Sequence, residues 1–170
     1  DAGGALDQQG EADVGPPTTM LDIGTEAPEF ELPDQYGDAI SLSDFRGQRV
    51  VLYFYPRADT PGCTAEACSF RDRWPEYEAH DVAVLGVSDD PVPDLADFAD
   101  AYDLPFHLLS DEDGSVSEAY DSYGEKNMFG NTFHGVFRNT YVIDETGAIE
   151  FAYEGVDPEG HADEILAALS

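Results

Sequence analysis

The chain has 170 residues, 42% of them apolar, with 37 acidic side chains against 7 lysines and arginines, for a net charge of −30. So acidic a surface repels nucleic acid and anionic membranes, which argues against direct binding to either. Apolar runs such as VVLYFY and VAVLGV exclude an acidic disordered polymer, and no apolar stretch is long enough to span a bilayer.

Lys126 is the only lysine. In dilute buffer the self-repulsion of such a chain weakens its compact state, whereas in molar salt, where the Debye length is about 3 Å, most of that repulsion is screened. The composition therefore reads as that of a cytosolic protein from a salt-accumulating cell. The N-terminus shows no basic segment followed by an apolar one, so a cytoplasmic location is expected rather than secretion. A nucleic-acid mimic would have the same charge but would need no catalytic site.

Residues 1–19, rich in Gly, Pro and acid, are expected to form a flexible extension ahead of one domain over residues 20–170. FEL (Phe30–Leu32) and AISL (Ala39–Leu42) flank the turn-forming PDQYGD and predict a short hairpin. SDFRG predicts one capped helical turn starting at Ser43 or Asp44. The run RVVLYFY (Arg49–Tyr55), apolar throughout its length after the arginine and rich in β-branched and aromatic residues, predicts a central strand. VAVLGVS (Val82–Ser88) predicts a second buried strand, followed by a helix over DLADFADAYD. FHLLS predicts a third strand and SVSEAYDSY a short helix. GEKNMFGNTFHGVF carries no clear period and reads as a long irregular segment. NTYVID and AIEFAYEG then predict a hairpin around ETG. A closing helix follows over PEGHADEILAALS, with Pro158 in its first turn. Strands alternating with helices, with a late antiparallel pair at one side, imply an α/β sheet compatible with a thioredoxin-like fold.

Both cysteines lie in one stretch, FYPRADTPGCTAEACSF. Pro61 belongs in the first turn of a helix, and Thr60 before it is a good N-cap. If AEACSFRDR is helical, Cys63 lies in that first turn, where unpaired N–H groups and the positive end of the helix dipole favour a thiolate. A buried, inert cysteine suits an apolar strand better than this turn. Cys68 lies five residues on, which places the two Cα atoms roughly 8–9 Å apart on a regular helix. A disulfide needs Cα atoms closer than about 7 Å. The pair therefore cannot bond while the helix is intact, and a bond that forms only when it opens is a catalytic one. No metal or cofactor is expected: the four histidines show no paired ligand spacing. SDEDG suggests calcium, but Leu109 occupies the first ligand position of the loop pattern. CTAEAC is not the C-x-x-C of dithiol oxidoreductases.

The segment YPRADTPGCTAEACSFRD resembles the active site of the peroxiredoxins, in particular the bacterioferritin-comigratory or Q-type subfamily with its P-x-x-x-T-x-x-C pattern. The likeness runs from about Leu21 to the C-terminus and includes GTEAPEFELPDQYG and YGEKNMFGNTFHGVFRNTYVID. It implies a thioredoxin-like fold and a peroxidase in which Cys63 attacks a peroxide and becomes a sulfenic acid. Thr60 would hold the thiolate and the attacked oxygen, Pro56 would shield them from water, and Arg138 would place its guanidinium beside the sulfur. Glu66 would orient that arginine, an ordinary first-turn acid favoured by the dipole being an equal alternative. Cys68 would resolve the sulfenic acid into a disulfide for a thioredoxin-like protein to reduce. The implied partners are a hydroperoxide and that reductant, with no nucleic acid and no membrane, in a monomer or weak dimer. A protein thiol–disulfide oxidoreductase and a non-catalytic redox sensor remain the alternatives.

Overall fold

The apolar run opening at Arg49 forms the middle strand of the principal sheet. The computed structural model describes residues 21–56, 61–128, 131–153 and 160–169; the expected extension, Thr60 and Pro158 lie outside them. Strand β1 (Glu31–Pro33) pairs with β2 (Ala39–Ser41) as the short hairpin predicted around PDQYGD. A 3-10 turn (Leu42–Phe45) follows, with Ser41 N–H donating to Asp44 Oδ2 at 3.0 Å, so the turn starts slightly before SDFRG. Strand β3 (Arg49–Phe54) leads to helices α1 (Pro61–Asp72) and α2 (Trp74–Ala79), then β4 (Val82–Ser88), α3 (Val92–Tyr102), β5 (His107–Ser110) and α4 (Ser115–Ala119). Strands β6 (Tyr123–Met128), β7 (Asn131–Val136), β8 (Thr140–Ile143) and β9 (Ile149–Tyr153) precede helix α5 (His161–Leu169).

The principal sheet has the order β5-β4-β3-β8-β9. β3 runs parallel to β4 and antiparallel to β8, so the late hairpin adds the antiparallel side as predicted. β3 has no solvent face, which is why it lacks polar alternation. Val51, Tyr53 and the following Tyr55 pack on one side with residues of α1, α3 and α5. Val50, Leu52 and Phe54 pack on the other with Phe30, Leu32, Leu42 and Tyr120. Full burial of each such side chain contributes about 1.5–3 kcal/mol, so both faces stabilise the strand on which the site is built. Gly86 on β4 is the register partner of Tyr53, and a Cβ there would lie 2.8 Å from the Tyr53 ring. Only glycine leaves the tyrosine its place beneath α1.

Two expectations need correction, and one element was missed. Residues 124–137, read as irregular, hold most of the antiparallel pair β6–β7. Their glycines and polar residues hide the alternation that normally marks strands. The helix expected over SVSEAYDSY is only Ser115–Ala119, because Tyr120 turns into the core and donates its hydroxyl to the carbonyl of Pro28. α2 was not predicted at all. Pro75 cannot extend α1, since its ring would meet the carbonyl four residues back, and the chain restarts as a new short helix after Arg73. The SDEDG segment has a structural role: buried Asp111 accepts from the backbone N–H groups of Val116 and Ser117 at 3.2 and 2.7 Å, capping α4.

Candidate active site

The first turns of α1 lie over the C-terminal end of β3. Cys63, Glu66, Ala67 and Phe70 recur at helical spacing and form the buried stripe of α1. Phe70 stacks on Tyr53 with ring centroids 4.9 Å apart, which fixes the helix on the sheet. Cys63 is 1% exposed and Glu66 0%, while Cys68 is half-buried. Both cysteines are free thiols, and α1 runs unbroken through them.

Arg138 arrives from the short link between β7 and β8, and its neighbours hold it there. Phe54 N–H, at the end of β3, donates to the carbonyl of Asn139 at 2.8 Å, and Phe137 N–H donates to the carbonyl of Ser122 at 2.7 Å. The buried Asn139 amide donates to Ser122 Oγ at 3.1 Å. These bonds fasten the link on both sides of the arginine. Its Nη1 donates to Glu66 Oε1 at 2.8 Å and its Nη2 to Cys63 Sγ at 3.3 Å. One fork thus spans a thiol and a carboxyl separated from it by 75 and 72 residues of chain.

The electrostatics follow from burial. Removal from water raises the Glu66 carboxyl from 4.5 to about 7, even though Arg138 pulls it down. The folded state therefore binds this proton more tightly than the unfolded one. That contribution to stability is complete below pH 4.5 and is lost as pH rises through about 7. Burial disfavours the charge on Arg138, but the adjacent Cys63 and Glu66 outweigh it and hold the guanidinium above its ordinary value. Burial also pushes the Tyr53 phenol far up, so it stays neutral beside them.

Of the residues singled out in the sequence, the structure brings together Cys63, Glu66 and Arg138. Pro56 is half-buried just beyond β3, and Thr60 lies outside the described residues. Cys68 opens instead onto a surface groove lined by Ala65, Ser69, Asp72, Arg73 and Asp163. Sequence reasoning missed Asn139, whose backbone and amide secure the arginine, and no spacing or composition marks it. It also undervalued Glu66, although a carboxylate in the same helical stripe as Cys63, Ala67 and Phe70 is a visible signal.

Residues 23–152 match the AhpC/TSA family. The chain belongs to that family. It is 45% identical over 146 residues to peroxiredoxin Bcp of Escherichia coli, covering 86% of this chain and 94% of that one. A PrxQ structure from Xylella fastidiosa superposes with a TM-score of 0.84 at 34% identity, over 89% of this chain and 96% of the other. The bacterioferritin comigratory protein of Xanthomonas campestris, studied for alkyl peroxide reduction, gives 0.81 at 35% identity, over 87% and 97%. The thioredoxin-like fold and the peroxiredoxin enzyme expected from the cysteine motif are borne out by these likenesses.

Proposed function

We propose that Cys63 is the thiol that reduces hydrogen peroxide and organic hydroperoxides, that Cys68 resolves it, and that a thioredoxin-like dithiol protein restores both. The observation that carries this reading is the single guanidinium bonded to Cys63 Sγ and Glu66 Oε1 over a helix holding both cysteines. A fixed cation beside the sulfur stabilises the thiolate and the negative charge that develops on the departing oxygen. Glu66 holds the guanidinium in that position. Thr60 and Pro56 take the roles of binding the attacked oxygen and excluding water, a reading supported by the motif alone. The alkyl peroxide activity of the Xanthomonas relative supports organic hydroperoxides as substrates. The test is peroxide consumption driven by a thioredoxin-type reductant in the presence of a chelator. Turnover should persist there, and its absence with every dithiol offered would overturn the reading.

Replacing Arg138 tests the site more finely. Arg138→Ala should slow peroxide attack by about 100- to 1,000-fold, the usual effect of removing one donor to developing charge. The loss should persist at a pH where Cys63 is fully thiolate, as measured by stopped-flow single turnover. A variant as fast as the parent there would place Arg138 outside the chemistry.

The charge supports a monomer or weak dimer in the cytoplasm of a salt-accumulating cell, with neither nucleic acid nor membrane as partner. Among the described residues no helix is long and apolar enough to cross a membrane. Thermal melting should rise steadily as potassium chloride is raised toward molar concentrations, as the Debye length shrinks from roughly 10 Å to 3 Å. A melting temperature independent of salt would count against the halophilic reading.

A further inference from the structure

The reduced site places two buried acids on one cation. Arg138 is shared between Glu66 and Cys63, and it is the cation that Glu66 meets among the described residues. Among the described residues the phenols of Tyr53 on β3 and of Tyr55 just beyond it also interact with Glu66, and both are kept neutral by burial. A thiolate and a carboxylate together would leave this largely buried cluster with a net negative charge, which a low-dielectric interior disfavours. The second carboxyl oxygen, Glu66 Oε2, is buried with no hydrogen-bond partner among the described residues. An ionised carboxylate tolerates a bare oxygen less well than a neutral acid does.

We propose that the Cys63–Glu66–Arg138 cluster carries one proton, held on Glu66 while Cys63 is a thiolate and given up when the sulfur is oxidised. The inference rests on Cys63 being the peroxide-reducing thiol. In the step it describes, the thiolate attacks one oxygen of the peroxide, a sulfur–oxygen bond forms and the oxygen–oxygen bond breaks. The attacked oxygen keeps its hydrogen as sulfenic acid. The other leaves with the bonding pair and takes up one proton to become water or alcohol. Sulfur loses two electrons and the peroxide gains them. Glu66 releases one proton as the sulfur is neutralised, balancing the one that the leaving oxygen takes up, so the charge of the cluster is zero before the step (thiolate, neutral acid, guanidinium) and zero after it (sulfenic acid, carboxylate, guanidinium). Glu66 is in this scheme a positioning residue for charge, acting through Arg138 and Cys63 rather than by contact with peroxide. Burial raises its carboxyl to about 7, which puts both of its states within reach near neutrality.

The experiment uses the full chain carrying Cys68→Ser, so that oxidation stops at the sulfenic acid, with one equivalent of hydrogen peroxide below about pH 7. Two signals are read: protons taken from weakly buffered solvent, by an indicator dye, and the infrared difference between reduced and oxidised protein. The proposal expects almost no proton uptake per thiol consumed, and loss of a protonated-carboxyl band on oxidation. It expects that band to be absent when Glu66→Gln is added. Uptake of about one solvent proton per thiol by the Cys68→Ser protein would overturn it, because Glu66 would then hold the same charge before and after oxidation. Absence of the band, or a band that survives Glu66→Gln, would overturn it as well. If peroxide is not consumed by Cys63 at all, the functional reading fails instead, and the thiol count separates the two.

Discussion

Cys63→Ser is expected to abolish peroxide turnover, while Cys68→Ser should retain one rapid reduction per chain and then stop. The difference follows from where α1 places the two sulfurs. Cys63 is buried at 1% exposure with a guanidinium nitrogen 3.3 Å from its sulfur, whereas Cys68 faces a surface groove. A serine at 63 retains shape but offers an alcohol that stays protonated at neutral pH, so the nucleophile is lost. A serine at 68 leaves the attack untouched but removes the thiol that would resolve the sulfenic acid. That product should persist or oxidise further to sulfinic acid. Rapid-mixing kinetics with one equivalent of peroxide, followed by mass spectrometry, distinguish these outcomes. Equal first-turnover rates in Cys63→Ser and the parent would remove Cys63 from its role.

How much of this could be read from the sequence depended on which interactions were local. β3 was legible because burial on both faces leaves an unbroken apolar run, and the start of α1 was legible because Thr-Pro followed by Cys has one favourable reading at a helix N-terminus. The β6–β7 pair was not, since its stability comes from pairing between two polar, glycine-containing segments and not from alternation. The break between α1 and α2 depends on Pro75, which could equally have marked the end of helix altogether. Arg138 reached the list of site residues only through resemblance. Its position depends on hydrogen bonds from Phe54 and to Ser122, both distant in the chain, and no local pattern encodes those. Glu66 lay between these cases. Its place in the buried stripe was readable, whereas its partner came only through the resemblance.

Oxidation should open the front of α1 and leave its rear in place. Residues five apart on an intact helix have Cα atoms roughly 8–9 Å apart, beyond the about 7 Å that a disulfide allows. Bonding Cys63 to Cys68 therefore requires that the helical turns between them unwind and that Cys63 leave Arg138. The structure shows where the unwinding should stop. Phe70 stacks on Tyr53 and meets the His161 ring edge-on, at centroid distances of 4.9 and 6.2 Å. Arg71 donates to the carbonyl of Tyr102 at 2.8 Å, and Tyr77 donates to that of Ala162 at 2.8 Å. Arg73 pairs with Asp163 at 2.6 Å, a surface contact that adds little by itself. Ahead of Phe70, Arg138 bonds Cys63 and Glu66, and the first of these bonds is lost on oxidation. Opening two turns costs a few kcal/mol, within the range of local fluctuations that native proteins sample. Hydrogen exchange measured on the thiol and disulfide forms should therefore accelerate by orders of magnitude across Cys63 to Ser69. Backbone amides of α2 and of Val50 to Phe54 should keep their protection in both forms. Exchange that is unchanged at Cys63 to Ser69 would mean that the disulfide forms without local unfolding. Exchange that rises through α2 as well would mean that α5 does not anchor the rear of the helix.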